Sequence, residues 1–359
     1  MEGYKHDAAA TRTVKIEDIA TGENRRKILR KLKENDPEFI TLRVDDVRER
    51  SNEFESAILA ELIGASEDVV YCPEGAHDLE WLGHFVGENT NLKELYLGWS
   101  ALQGFSHNAI VQFYNGVNDN RSIQKIELHG FESGDVFQLL RPFFENNNNL
   151  CKLVVVDCQF GPGCAHQLSL ALRGCNKSLK VVTLTEIDTG GDAFAEIIEA
   201  LAERPQLEEL YLERMNAGRN DCTALVNLLR STATELHTLD LRNNDIDDEG
   251  VIALVGVLTN SNVCVLNLSS NRNITTRGLQ SVAALLEDPD SKLEELNLRF
   301  NNICDEWLHI FANALAINRK LKTLDLLGNS ITAEGWSSFS KVLCDTSSIN
   351  NIFLSNHTL

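Results

Sequence analysis

Cysteine and histidine are the residues in this sequence most able to act as nucleophiles, bases or metal ligands. Each occurs nine times, but the cysteines are scattered singly from Cys72 to Cys344 without a CxxC pair, and no two histidines have a helical metal-site spacing. The chain has no GxxxxGKS/T, HExxH, GxSxG or GxGxxG motif. We interpret the turn Gly161-Pro162-Gly163 as part of a structural repeat. The sequence therefore predicts no enzyme activity, no cofactor and no metal.

The charge of the chain is unevenly distributed. The sequence has 33 basic and 53 acidic residues, a net charge of −20, although its first 35 residues are net positive. An acidic body repels phosphates, so we expect no nucleic-acid and no membrane partner. The chain shows no signal-peptide core and no apolar run of about 18 residues. Because unpaired cysteines also favour a reducing compartment, we predict a cytoplasmic protein, with the nucleus as the alternative.

One short pattern recurs along most of the chain. Residues 91–102 read NLKELYLGWSAL and residues 235–246 read ELHTLDLRNNDI. The first apolar position of this pattern recurs every 27 to 31 residues, at Leu92, Ile123, Leu150, Leu179, Leu207, Leu236, Val263, Leu293, Leu321 and Ile349. Ten copies in register indicate a repeat protein.

Each repeat changes its hydrophobic period part of the way along. The L-x-L segment alternates with period two, which predicts a short strand, and the spacing that follows is helical. Near the end of the strand, Asn244, Asn271, Asn301 and Asn329 are predicted to bond the backbone of neighbouring turns. Residues 39–46 and 68–72 read as two earlier, degenerate repeats, with Leu42/Val44 and Val70/Cys72 in the buried positions.

These repeats resemble the leucine-rich repeats of the ribonuclease-inhibitor-like type, and the resemblance covers about residues 37–359. It implies an α/β fold, a right-handed solenoid or horseshoe with a parallel sheet on the concave side and helices on the convex side. About twelve repeats are expected, the last one incomplete. The roughly 24-residue receptor type and the cysteine-capped extracellular type fit less well.

The two ends of the chain require separate interpretation. Residues 1–36 are predicted to be a flexible arm followed by a basic amphipathic helix at residues 23–34, which caps the array or serves as a targeting signal. At the other end, residues 348–359 start a repeat without completing it. We expect either that the native array continues or that another chain covers this end. The protein is otherwise predicted to be a monomer.

Functional residues are expected on the concave face, at strand positions that flank the buried leucines. Aromatic and arginine side chains dominate many binding sites because they combine large area with fixed polar geometry. The candidates for partner binding are Tyr71, Tyr96, Trp99, Val154, Tyr211, Arg242 and Arg299.

Two functions are compatible with these features. The first is a non-enzymatic scaffold that binds a protein or peptide on the concave face. The alternative is a GTPase-activating protein of the Ran-activator type, since those proteins share this repeat type; none of their functional residues can be assigned to positions in this sequence.

Overall fold

The computed structural model describes residues 13–45, 69–158, 162–175, 178–187, 193–231, 235–343 and 349–353. Residues 1–12 of the predicted arm and residues 354–359 of the predicted last repeat lie outside these ranges. The chain divides into two compact units, Met1–Leu179 and Lys180–Leu359, here called the N-terminal unit and the C-terminal unit.

The N-terminal unit alternates helices with parallel strands. Its strands are β1 (Thr41–Val44), β2 (Val70–Tyr71), β3 (Glu94–Gly98), β4 (Lys125–His129) and β5 (Lys152–Val156). Its helices are α1 (Ile16–Ile19), α2 (Glu23–Lys33), α3 (Ala76–Glu88), α4 (His107–Asp119), α5 (Asp135–Leu139), α6 (Arg141–Asn146) and α7 (Pro162–Gly174). A 3₁₀ turn, Trp99–Ala101, follows β3.

The C-terminal unit repeats one strand and one helix with little variation. Its strands are β6 (Val181–Thr185), β7 (Glu209–Glu213), β8 (Thr238–Asp240), β9 (Val265–Asn267), β10 (Glu295–Asn297), β11 (Thr323–Asp325) and β12 (Asn351–Phe353). Its helices are α8 (Ala193–Ala202), α9 (Arg219–Arg230), α10 (Asp248–Leu258), α11 (Thr276–Glu287), α12 (Asp305–Ile317) and α13 (Ala333–Leu343). The strands pair in parallel and in sequence order.

The core lies between strands and helices, where the repeat pattern places its apolar residues. Nine of the ten recurring first positions are at most 2% exposed, and Ile349 is half-buried. The paired strand positions, such as Leu95 with Leu97 and Leu239 with Leu241, are buried as well. The predicted strand–helix repeat is therefore confirmed, and successive repeats share one apolar layer within each unit.

The order of the first strands differs from the prediction. β1 pairs with β3 on one side and with β2 on the other, so β2 is an edge strand and the repeats do not follow in the order of the chain. Helix α2 precedes β1 as α3 precedes β3, and the two helices pack together. Helix packing thus places β1 beside β3. Spacing along the sequence carries no information on this order.

The predicted asparagine ladder is present in the C-terminal unit. The Nδ2 atoms of Asn244, Asn271 and Asn301 donate to backbone carbonyls of the preceding repeat at 2.7, 2.9 and 2.8 Å. Asn329 donates to the carbonyl of Leu298 at 2.9 Å, and its Oδ1 accepts from the amide of Asn301 at 2.9 Å. Each side chain therefore satisfies buried backbone groups that no strand pairs with.

A second set of asparagines, which the sequence reading missed, lies where helices end. Asn89, Asn120, Asn147 and Asn318 each follow a helix and are buried. In Asn120, Oδ1 accepts from the amides of Ser122 and Ile123 at 2.8 and 3.0 Å, while Nδ2 donates to Val86 O at 2.7 Å. These side chains join the end of one helix to the neighbouring repeat. Their recurrence just before each apolar strand start was a usable signal.

Helices α3 and α4 approach each other closely because glycines face each other between them. A Cβ at Gly83 would lie 2.6 Å from the Cα of Phe113, and a Cβ at Gly116 would overlap the backbone of Gly83. No side chain fits at either position. The two backbones are thus in direct van der Waals contact.

The basic helix α2 buries Ile28, Leu29 and Leu32, as the amphipathic pattern predicts. Its Arg30 contacts Glu17 of the preceding segment at 2.6 Å. That segment forms helix α1 with Ile16 and Ile19 buried, so residues 16–20 differ from the flexible arm that we expected. Apolar contact with α2 and α3 accounts for the difference.

We expect the substitution Asn301→Ala to lower the free energy of unfolding by roughly 2–4 kcal/mol, because it leaves a buried amide and a buried carbonyl without partners. Chemical denaturation followed by circular dichroism measures this loss. Asn273→Ala removes an exposed asparagine from the same turn and is the control. A loss below about 1 kcal/mol for Asn301→Ala would show that the ladder is not needed.

The substitution Gly116→Ala is expected to destabilise the protein by about 2 kcal/mol or more, since the added methyl group forces α3 and α4 apart. Gly256→Ala is the matched control: it lies in helix α10 with no atom within 4 Å of the added Cβ. This control should be neutral or stabilising by up to about 1 kcal/mol. Equal melting temperatures for the two variants would contradict the close approach.

Candidate functional site

The face of the sheet that points away from the helices, the predicted concave side, is here called the open face. Strand positions between two buried leucines point to it. Register pairing aligns these middle positions in one row per unit. The middle row of the N-terminal unit is Arg43, Tyr96, Glu127 and Val154. In the C-terminal unit it is Thr183, Tyr211, Asp240, Asn267, Asn297, Asp325 and Phe353.

The predicted contact residue Tyr96 lies on the open face but is covered by its neighbours. The guanidinium carbon of Arg43 is 4.0 Å from the centre of the Tyr96 ring, and the ring of His129 is 4.4 Å from it. Only 3% of Tyr96 is exposed. A partner could reach this ring only by displacing Arg43 or His129.

Glu127 lies beside this aromatic cluster and contacts two basic side chains. Its carboxylate lies 2.5 Å from Lys125 Nζ and 3.4 Å from His129 Nε2. Burial by itself would raise the pKa of Glu127, but the contacts with His129 and Lys125 outweigh burial and lower this pKa to about 2. The negative charge of Glu127 is therefore compensated by its neighbours Lys125 and His129.

Tyr71 does not lie on the open face, which corrects the sequence prediction. It is in register with the core residue Val44, so its side chain points toward the helices and is fully buried. Its hydroxyl donates to the carboxylate of Asp78 in α3. The prediction placed Val70 in the core, one residue out of register, because a two-residue strand carries too little alternation to define a face.

Two further candidates of the N-terminal unit are largely internal. Trp99 is half-buried in the 3₁₀ turn, with its ring 5.8 Å from that of Phe131. Val154 is on the open face, beside Glu127, but only 5% exposed. Among the four candidates in this unit, the structure joins Tyr96 and Val154 through Glu127 and leaves Tyr71 and Trp99 outside the row.

Tyr211 lies on β7, Arg242 lies two residues after the adjacent strand β8, and both remain partly exposed. The Tyr211 hydroxyl donates to Glu209 Oε2 at 2.8 Å. Burial, followed by this carboxylate, raises the pKa of Tyr211 to about 12. Arg242 Nε lies 3.3 Å from a carboxylate oxygen of both Glu213 and Asp240, which orient the guanidinium.

Arg299 occupies the equivalent of the Arg242 position two strands further along. Its Nη1 is 3.8 Å from Asp325 Oδ2, and its guanidinium carbon is 5.2 Å from the centre of the Phe300 ring. The structure therefore places Tyr211, Arg242 and Arg299 on one face. Arg242 and Arg299 are separated by about 10 Å, the width of two strand spacings.

The polar middle-row residues of β8 to β11 have a structural task that the sequence reading missed. The side-chain oxygens of Asp240, Asn267, Asn297 and Asp325 each accept from the backbone amide two residues later, all at 3.0 Å. These side chains stabilise the chain as it leaves a three-residue strand. Asp or Asn recurs at the same strand position in four successive repeats, and this recurrence could have indicated the role from the sequence.

Two buried cysteines are poorly suited to nucleophilic chemistry. Burial raises the pKa of the Cys158 and Cys222 thiols to about 12, which disfavours the nucleophilic thiolate. Among the described residues, no group of three or more His, Cys, Asp or Glu side chains could hold a metal ion. None of the described helices is long and apolar enough to cross a membrane.

Comparisons with known proteins agree with the repeat. The family described as "Leucine Rich repeat" matches residues 233–255, 259–283, 290–306 and 318–340. NLR family CARD domain-containing protein 4 of Rattus norvegicus is 27% identical over 246 residues, 64% of this chain and 23% of that protein. The ribonuclease inhibitor of Mus musculus is 29% identical over 213 residues, 58% of this chain and 44% of that protein. The chain thus spans less than half the length of these relatives.

A solved structure shows the same fold. The leucine-rich repeat-containing protein LegL7 of Legionella pneumophila superposes with a TM-score of 0.50 at 16% identity, covering 77% of this chain and 87% of that chain. The fold is thus that of an α/β leucine-rich repeat solenoid, as predicted. The repeat length and the sequence matches support a leucine-rich repeat protein of the ribonuclease-inhibitor-like type.

We expect the stability that Glu127 contributes to be present above pH 4.5 and lost as the pH falls toward 2, because its pKa is lower in the folded state than the ordinary 4.5. Unfolding free energies of the native protein and of Glu127→Gln, measured by denaturation, should differ by about 2 kcal/mol more at pH 5.5 than at pH 3. Glu295→Gln, which removes an exposed carboxylate, is the control. A pH-independent difference for Glu127→Gln would contradict the ion pairs.

Proposed function

We propose that the protein is a non-enzymatic interaction scaffold that binds a protein or peptide on the open face of its C-terminal unit. One observation carries this proposal: Tyr211, Arg242 and Arg299 share one face and remain partly exposed, and neighbouring carboxylates orient Tyr211 and Arg242. Aromatic and arginine side chains held in this way lose little conformational entropy on binding.

The N-terminal unit supports the proposal less well. There Tyr96 is covered by Arg43 and His129, and Val154 is buried. The candidates on that side mainly stabilise the sheet. The contact surface is therefore proposed for β7 to β11, with Tyr211 and Arg242 near one end and Arg299 toward the other.

Several sequence predictions remain predictions. They are the boundary between a capping segment at residues 1–36 and the repeat array at residues 37–359, the monomeric state, and the cytoplasmic location. The absence of nucleic-acid and membrane partners is likewise an expectation from charge.

Photochemical crosslinking tests the proposed face directly. Benzoylphenylalanine replaces Tyr211 on the open face in one variant and the exposed Gln280 on helix α11 in the other. After irradiation in native lysate, we expect a defined protein adduct from position 211 and none from position 280. Melting temperatures should match that of the native protein. Equal adducts from both positions, or adducts from position 280 alone, would move the interface off the open face.

A second candidate function is activation of a Ran-type GTPase. RAN GTPase-activating protein 2 of Arabidopsis thaliana is 28% identical over 122 residues, 34% of this chain and 22% of that protein. A single-turnover GTP hydrolysis assay with GTP-loaded Ran and the purified chain tests this candidate. Accelerated hydrolysis would establish it, and an unchanged rate would exclude it in favour of the scaffold.

A further inference from the structure

Two large apolar side chains are exposed at one end of the open face of the C-terminal unit. Phe300, three residues after the end of β10, is 44% exposed, and Phe353, in the middle row at β12, is 48% exposed. Among the described residues, the other large apolar side chains with comparable exposure are Ile40 and Ile317. Leu327 is half-buried in the turn after the intervening strand β11. Exposed aromatic residues concentrated in this way are typical of contact surfaces.

The backbone at Phe300 shows that the fold does not require an aromatic residue there. Its φ is +55°, in the left-handed region that large side chains rarely adopt. The equivalent turns after β6, β7, β8, β9 and β11 have Glu186, Arg214, Asn243, Ser270 and Gly328, with φ between +52° and +70°. The turn therefore accepts polar residues and glycine. Among these equivalent positions of the C-terminal unit, Phe300 is the apolar residue.

Contacts around Phe300 hold its ring at the rim of the open face. The ring lies so close to Gly328 that a Cβ there would overlap it. On the open-face side, the guanidinium carbon of Arg299 lies 5.2 Å from the centre of the ring. The neighbouring repeat therefore makes room for an aromatic ring in a strained turn. A side chain that costs backbone strain and stays exposed points to function.

The charges beside these rings favour a cation. Glu295, at the start of β10, is exposed and forms no ion pair with any described residue. Asp325 is half-buried, and its contact with Arg299 is a loose 3.8 Å. Burial raises the pKa of Asp325, so its carboxylate would gain from a closer positive charge. Two carboxylates against one guanidinium leave a local surplus of negative charge.

We call Glu295, Arg299, Phe300, Asp325, Leu327 and Phe353 the terminal patch. We propose that the terminal patch binds a protein segment with an apolar side chain and a lysine or arginine next to it. The apolar side chain packs over Leu327, beside the rings of Phe300 and Phe353. The basic side chain pairs with Glu295 and Asp325. This inference rests on the proposed function and specifies its partner.

Selection of peptides tests the partner chemistry. A phage-displayed library of random 12-residue peptides is panned on the full chain, and the most enriched peptide is synthesised with a fluorescent label. We expect enriched peptides to contain an aromatic or long aliphatic residue beside Lys or Arg. Fluorescence anisotropy then measures the Kd of that peptide for the native chain and for each variant.

The variants separate binding from folding. Phe300→Asn introduces the residue type of the equivalent position 243, so it should leave stability unchanged or increase it while raising the Kd at least tenfold. Phe353→Asn should have a similar effect on the Kd. Ile317→Asn removes a more exposed apolar residue, at the end of helix α12, and should leave the Kd unchanged. Glu295→Lys should weaken binding, and a peptide with Glu in place of its basic residue should regain affinity for that variant.

The outcomes distinguish this inference from the proposed function. If peptide binding is insensitive to Phe300→Asn and Phe353→Asn but lost in Tyr211→Ala, the open face binds a partner and the terminal patch does not. If no variant of either group matters, both proposals are wrong. Enrichment of acidic peptides, no enrichment at all, or Phe300-dependent binding of a 20-nucleotide single-stranded RNA would also overturn the inference.

Discussion

Strands of three residues leave most of each turn without a sheet partner, yet the turns of this protein are buried and their amides and carbonyls must be satisfied. Asparagine side chains supply the missing hydrogen bonds. Asn301 illustrates the arrangement: it donates to Leu268 of the preceding repeat and accepts from the amide of Asn271. Because each amide group bridges two successive turns, the ladder holds neighbouring repeats in register. The rows of the open face exist only while that register is kept.

Much of the open face serves the repeat itself. In the C-terminal unit, Asp240 and its counterparts in three further repeats turn their oxygens toward the backbone that follows each strand. In the N-terminal unit, Arg43, Tyr96, Glu127 and His129 contact one another. Some side chains are oriented by these internal networks but not covered by them, as Arg242 is by Asp240 and Glu213.

Repetition also makes exceptions visible. Equivalent turns define what the fold requires at a position, so a residue that departs from its counterparts needs another explanation. Phe300 departs in this way, since a left-handed turn that contains a polar residue or glycine in the other repeats of the C-terminal unit here contains an exposed aromatic ring. By contrast, Gly83 and Gly116 depart from ordinary helix composition for a packing reason, the close approach of α3 and α4. The strained, exposed Phe300 thus points to a function, whereas the glycines Gly83 and Gly116 are explained by helix packing.

The amino-acid sequence by itself determined the repeat length, the strand–helix alternation, the buried leucines and the role of Asn244, Asn271, Asn301 and Asn329. These features depend on contacts between equivalent positions of neighbouring repeats. Such positions recur at a nearly constant spacing, so they can be recognised in the sequence. Only the tertiary structure decided that β1 lies between β2 and β3, that Tyr71 points inward to Asp78, and that Arg43 and His129 cover Tyr96. Strand order and burial depend on which separate segments meet in space, and no local pattern of residues encodes that choice.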